Sequence, residues 1–185
     1  MHAKSDAAVV LPEAAASPSV VTAEAKPAST SANTLRLQAQ LQDQIDGIMK
    51  EYGAAFHLAA TLPPSFEMRG DQTLLHFTME NTLVFEKNTS SIYKRAAQSF
   101  DLFLAPELKG LLSKLPADAD YDALDFSVLN RMAGENNSSE TIEYVCPLNS
   151  VRAFVENNIT SQDLINQSIV LMNGVRISLN LQLVE

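Results

Sequence analysis

At 185 residues, with 46% apolar side chains, the chain is long enough for one domain with a substantial core. A formal net charge of −9, from 22 acidic and 13 basic residues without any basic run, argues against a nucleic-acid footprint of the phosphate-neutralising kind. No stretch approaches the roughly eighteen apolar residues of a membrane-spanning helix. A lone Cys146 rules out an intramolecular disulfide and a cysteine-based zinc cluster.

Residues 1–33 hold ten Ala, five Ser, three Pro and two Thr and no aromatic residue, a composition that buries too little to offset its ordering entropy. They read as a disordered linker before a single α+β domain at 34–185. The opening dozen residues lack the long apolar core of a secretory signal. From Thr34 to Tyr52, Leu41, Ile45, Ile48 and Tyr52 fall on one helical face, with Asn33 as N-cap and Gly53 just past the end.

Phe56 to Leu62 reads as a first strand stopped by Pro63-Pro64. Phe66 and Met68 then alternate with Glu67 and Arg69, Gly70-Asp71 suits a type II′ turn, and the alternation resumes through Thr73, Leu75, Phe77 and Met79. This predicts a hairpin, with Leu83 to Phe85 continuing or returning its second strand. Thr89 or Ser90 is placed to cap a long helical pattern through Ile92, Ala96, Phe100 and Leu104. Pro106 should break that helix at Ala105 and start another, with Leu108, Leu111, Leu112 and Leu115 inward and Pro116 ending it.

Leu124–Leu129 and Thr141–Cys146 read as two further strands joined by the polar loop from Gly134 to Glu140. A short helix is expected over 149–157, and another turn capped by Thr160 or Ser161. The clearest element comes last. Asn173-Gly174 suits a type I′ turn, Met172 should face Val175 and Val170 should face Ile177, and alternation continues from Val175 to Leu183. Val175 to Val184 would then be an edge strand through which a second copy could pair. Ile169 and Leu171, on the opposite face of that hairpin, are placed for a second apolar contact.

No linear motif carries recognisable chemistry. Asp118, Asp120 and Asp122 alternate like the start of a calcium loop, but Ala123 and Leu129 stand where Gly and a bidentate Glu are needed. His57 and His76, both in expected strands, could approach across a sheet, yet two histidines need further ligands to hold zinc. A pocket joining either to two carboxylates would point to a small-molecule site. Cys146 reads as a small core hydrophobe. Five N-x-S/T triplets, at Asn88, Asn136, Asn137, Asn158 and Asn166, read as ordinary loop positions. The sequence therefore leads to no expected catalytic residue, metal site or cofactor.

The order strand, long helix, strand, loop, short helix, strand from Leu74 onward resembles the OmpA-like peptidoglycan-associated domain family. Leu148-Asn149-Ser150-Val151-Arg152-Ala153 is similar to that family's Leu-Ser-x-x-Arg-Ala helix. The resemblance implies that Arg152 binds a peptidoglycan carboxylate. Where the family carries Gly-x-x-Asp, Asn130-Arg131-Met132 stands here.

The expected architecture is α+β: an antiparallel or mixed sheet with helices around 35–52 and 90–115 on one face, ending in a C-terminal hairpin. The expected function is a non-catalytic, tethered, extracytoplasmic binding or assembly module of a bacterial envelope, with a protein partner or cell-wall component as its target. A divergent peptidoglycan binder using Arg152, and a small-molecule-binding domain, are the alternatives.

Overall fold

The computed structural model describes residues 32–86, 88–117, 120–134 and 139–183. The elements run α1 (Ala32–Tyr52), β1 (Ser65–Arg69), β2 (Gln72–Glu86), α2 (Ile92–Gln98), a π-helical turn (Ser99–Leu104), α3 (Ala105–Leu112), β3 (Ala123–Ala133), β4 (Ser139–Pro147), α4 (Leu148–Val155), α5 (Ser161–Gln167), β5 (Ile169–Met172) and β6 (Val175–Ile177). Six strands form one sheet in the order β1-β2-β3-β4-β5-β6. Every neighbouring pair is antiparallel except β2 and β3, which are parallel and therefore need the long helical crossover between them.

The sheet is mixed and its helices pack on one face, as an α+β fold requires. Leu75, Phe77, Phe126 and Tyr144 point to that face, where they meet Ile45 of α1, Phe100 of the π turn, Leu108 of α3, Val151 of α4 and Leu164 of α5 in one core. Alternation places the odd residues of β2 and the even residues of β3 and β4 on this helical side. The Tyr144 hydroxyl donates to the Ala96 carbonyl at 2.7 Å and ties β4 to α2. No helix among the described residues is long and apolar enough to cross a membrane.

Both expected turns are present. Gly70 has φ of 62° with Asp71 outside the left-handed region, consistent with a type II′ loop, while Asn173 (47°) and Gly174 (80°) are both positive as type I′ demands. Met172 pairs with Val175 and Val170 with Ile177. Thr160 is the N-cap of α5 in a reciprocal box with Asp163.

Other expectations need correction. Helix α1 starts at Ala32, so the last two residues of the expected linker belong to it, and residues 1–31 lie outside the described set. Phe56 to Leu62 is not a strand. It turns, with His57 at φ of 53°, and touches the sheet through one bridge, Leu58 to Met79. Ser91, not Thr89 or Ser90, caps α2 by accepting from the Lys94 N–H.

Pro106 does not interrupt the helix. Ala105 keeps helical angles, because the preceding π turn bonds Ala105 N–H to the Phe100 carbonyl and widens the coil ahead of the proline ring. Strand β6 stops at Ile177 rather than running to Val184, and Val175 is 68% exposed. Gln162 of α5 draws the chain off the sheet: its side chain donates to the Leu179 carbonyl and accepts from Leu181 N–H, so Leu179 packs into the helical core.

Candidate functional site

The second face of the sheet carries no described helix. Leu74, Ala123 and Val145 are nonetheless buried there, forming a small apolar cluster joined by Ile169. Ile169 therefore makes the second apolar contact expected of it, against the sheet itself, while Leu171 stays half-buried outside that cluster. Ile169 sits opposite Val145, and Leu171 lies beside Glu143 on the neighbouring strand.

Over this cluster lies a charge network contributed by four strands. Arg69 on β1 donates to Glu143 on β4, reaching across β2 and β3. Three strand spacings of about 4.8 Å separate the two strands, so both side chains must lie extended along the face to meet. The same guanidinium lies 3.7 Å from Asp125 Oδ2.

Asp125 is the centre of the network. Its side chain is only 2% exposed, and His76 Nδ1 lies 3.2 Å from its Oδ2. The other imidazole nitrogen, Nε2, is 3.3 Å from Thr78 Oγ1. Two buried atoms make no hydrogen bond: His76 Nδ1, despite its closeness to Asp125, and Asp125 Oδ1. Glu67 completes the group, with one ligand-capable atom each from Glu67, His76 and Asp125 within 4.8 Å of one another.

Electrostatics follow from this crowding. Burial pulls the His76 pKa down, but the adjacent Asp125 carboxylate, with Glu67 and Glu143, outweighs it and leaves the imidazole raised above its usual value. Burial, reinforced by Asp125, pushes Glu143 up despite its bond to Arg69. Three carboxylates share one guanidinium and one imidazole, so two negative charges remain uncompensated while His76 is neutral.

The residues singled out by sequence do not converge. The His57 ring lies tilted against Phe103 on the helical side, with centroids 5.6 Å apart, whereas His76 faces the opposite side of the sheet. Arg152 on α4 donates to the Ala117 carbonyl at 2.5 Å and faces buried Tyr121, whose phenol burial pushes up to about 12 against the pull of Arg152. Of the calcium-like triplet, Asp118 lies outside the described residues. Asp120 pairs with Arg36, and Asp122 accepts from the Thr73 N–H at 2.7 Å. Asn136 and Asn137 also fall outside the described set. Cys146 is fully buried and its thiol is pushed up to about 12 by that burial.

Glu67, Arg69, Asp125 and Glu143 were not among the sequence candidates. One signal was present: Asp125 interrupts the apolar run Leu124-Asp125-Phe126, and a charge in a central strand needs a partner. His76, by contrast, does join two carboxylates. The chain has no match among protein-family models, curated proteins or solved structures.

Proposed function

We propose that this protein is a non-catalytic binding or assembly module, tethered through its Ala/Ser/Pro/Thr-rich N-terminal segment outside the cytoplasm of a bacterial cell, and that it receives a protein partner on the second face of its sheet. One observation carries the reading: a sheet face without described helical cover holds the small buried cluster of Leu74, Ala123 and Val145, edged by half-buried Ile169, beside an acid-rich network. Half-buried Leu129, Ile169 and Leu171 offer desolvation area, and the surplus negative charge favours a partner segment bearing Lys or Arg.

The test is capture from a bacterial envelope extract with the full chain as bait, comparing wild type with Leu171→Asp and Arg152→Ala, and with peptidoglycan sacculi assayed in parallel. A basic partner retained by wild type and Arg152→Ala but lost with Leu171→Asp supports the reading. Retention on sacculi that depends on Arg152 replaces it with the cell-wall alternative. Capture indifferent to Leu171 ends it, and recovery of the native protein only in a cytosolic fraction removes the extracytoplasmic part.

A further inference from the structure

The Asp125 carboxylate sits in the middle of a sheet, almost wholly out of water, with one oxygen bonded to nothing. The imidazole nitrogen turned toward it is likewise without a hydrogen bond. Buried polar atoms in folded proteins are nearly always partnered, so the unpartnered Asp125 Oδ1, beside an imidazole nitrogen whose one neighbour is the ion-pair contact to Oδ2, indicates a missing binding group. Arg69 approaches Asp125 at Oδ2 and leaves Oδ1 unpartnered.

We propose that Glu67, His76 and Asp125 form a binding site for a divalent transition-metal ion of the zinc class. The donor set is one imidazole nitrogen and two carboxylate oxygens, the chemistry that zinc accepts. A divalent cation would also balance the two negative charges left over while His76 is neutral. Thr78 Oγ1 lies where it orients the imidazole from its far nitrogen, the usual arrangement behind a metal-bound histidine. Glu67 is half-buried, so it can close the last part of the 4.8 Å spread without disturbing the core. This inference needs no partner, but it draws on the same surplus negative charge as the partner reading, so a bound cation and a basic partner segment would compete for it.

Proton and metal compete for the same nitrogen, so binding should strengthen as His76 loses its proton. Arg69 is a competing cation, held by Glu143 and near Asp125. Its removal should tighten the site.

The experiment is isothermal titration of the chelator-stripped full chain with zinc chloride, with bound metal counted after dialysis. The expected result is one equivalent, bound more tightly at higher pH and unaffected by His57→Gln. His76→Gln should weaken it by at least about 100-fold, the upper end of what loss of even an outer-shell partner costs. Arg69→Gln should bind more tightly than wild type. Glu67→Gln, a change at a half-buried position, gives a second variant if His76→Gln misfolds. No saturable binding, or one-equivalent binding that survives both His76→Gln and Glu67→Gln, would overturn the proposal.

Discussion

The Asn81 side-chain amide donates to Asn130 Oδ1 at 2.7 Å, joining the β-bulge of β2 to the centre of β3. Both residues are buried, and the Ser99 hydroxyl, at the start of the π turn, donates to the same Asn130 oxygen at 2.8 Å. Asn81 Oδ1 also accepts from the Leu83 N–H, which the bulge has taken out of the ladder. One polar network thus holds together the two irregularities of the fold, the bulge and the wide helical turn. Asn81→Leu should destabilise the protein by about 1–3 kcal/mol, through the stranded Leu83 N–H and the partner lost by Asn130. Urea unfolding midpoints would measure it.

Arg95 and Glu140 form a bidentate pair between α2 and the start of β4, with contacts of 3.0 and 2.6 Å. Both side chains are buried. Removing one partner strands a charge, so Arg95→Ala or Glu140→Ala alone should cost about 3–5 kcal/mol, while replacing both with apolar residues of similar size should cost far less. A double-mutant cycle in chemical denaturation reads the difference.

His76 makes stability depend on pH. Its folded-state pKa is raised, so its contribution is fully present below the ordinary value of 6.5 and is lost as pH rises through the higher folded value. Glu143, also raised, acts in the same direction over a lower range. The groups facing the imidazole are Asp125, Glu67, Glu143 and Arg69. In the presence of chelator, the stability advantage of wild type over His76→Gln should shrink as pH rises above about 6.5. An advantage that grew over that range would contradict the assignment.

The Thr160 box at the start of α5 has the opposite sign. Asp163 accepts from the Thr160 hydroxyl and N–H, which lowers its pKa, so what it contributes is present above the ordinary carboxylate value and lost as pH falls. Thr160→Ala should cost about 1 kcal/mol at neutral pH, measured by thermal unfolding.

Cys146, buried between sheet and helices with its thiol pushed up to about 12, should resist alkylation in the native protein and react only when the chain unfolds. Iodoacetamide labelling followed by mass measurement, with and without denaturant, tests this. Rapid native labelling would show that the strand opens locally.

Most of the local structure was legible in sequence because its causes are local. Asn173-Gly174 and Gly70-Asp71 can adopt positive φ where the turns need it, and alternation in Thr73 to Met79 assigned each side chain to a face. Where expectation failed, a distant contact intervened. Residues 175–183 alternate well enough for a long strand, but the Gln162 side chain on α5 bonds the backbone at Leu179 and Leu181 and ends β6 early. Ala105-Pro106 has the signature of a helix break, yet a π turn absorbs the proline.

The sequence by itself determined that this is an acidic α+β chain with two tight hairpins, a capped α5 and a core distributed at helical and strand periods. Those properties depend on residues a few positions apart. Only the tertiary structure decided that Glu67, Arg69, His76, Asp125 and Glu143 meet, since they lie on four strands and their meeting depends on the strand order and the parallel β2–β3 register. Short-range patterns tell a side chain which face it occupies. They do not tell it which strand will lie beside it, and at this site the chemistry comes from those neighbours.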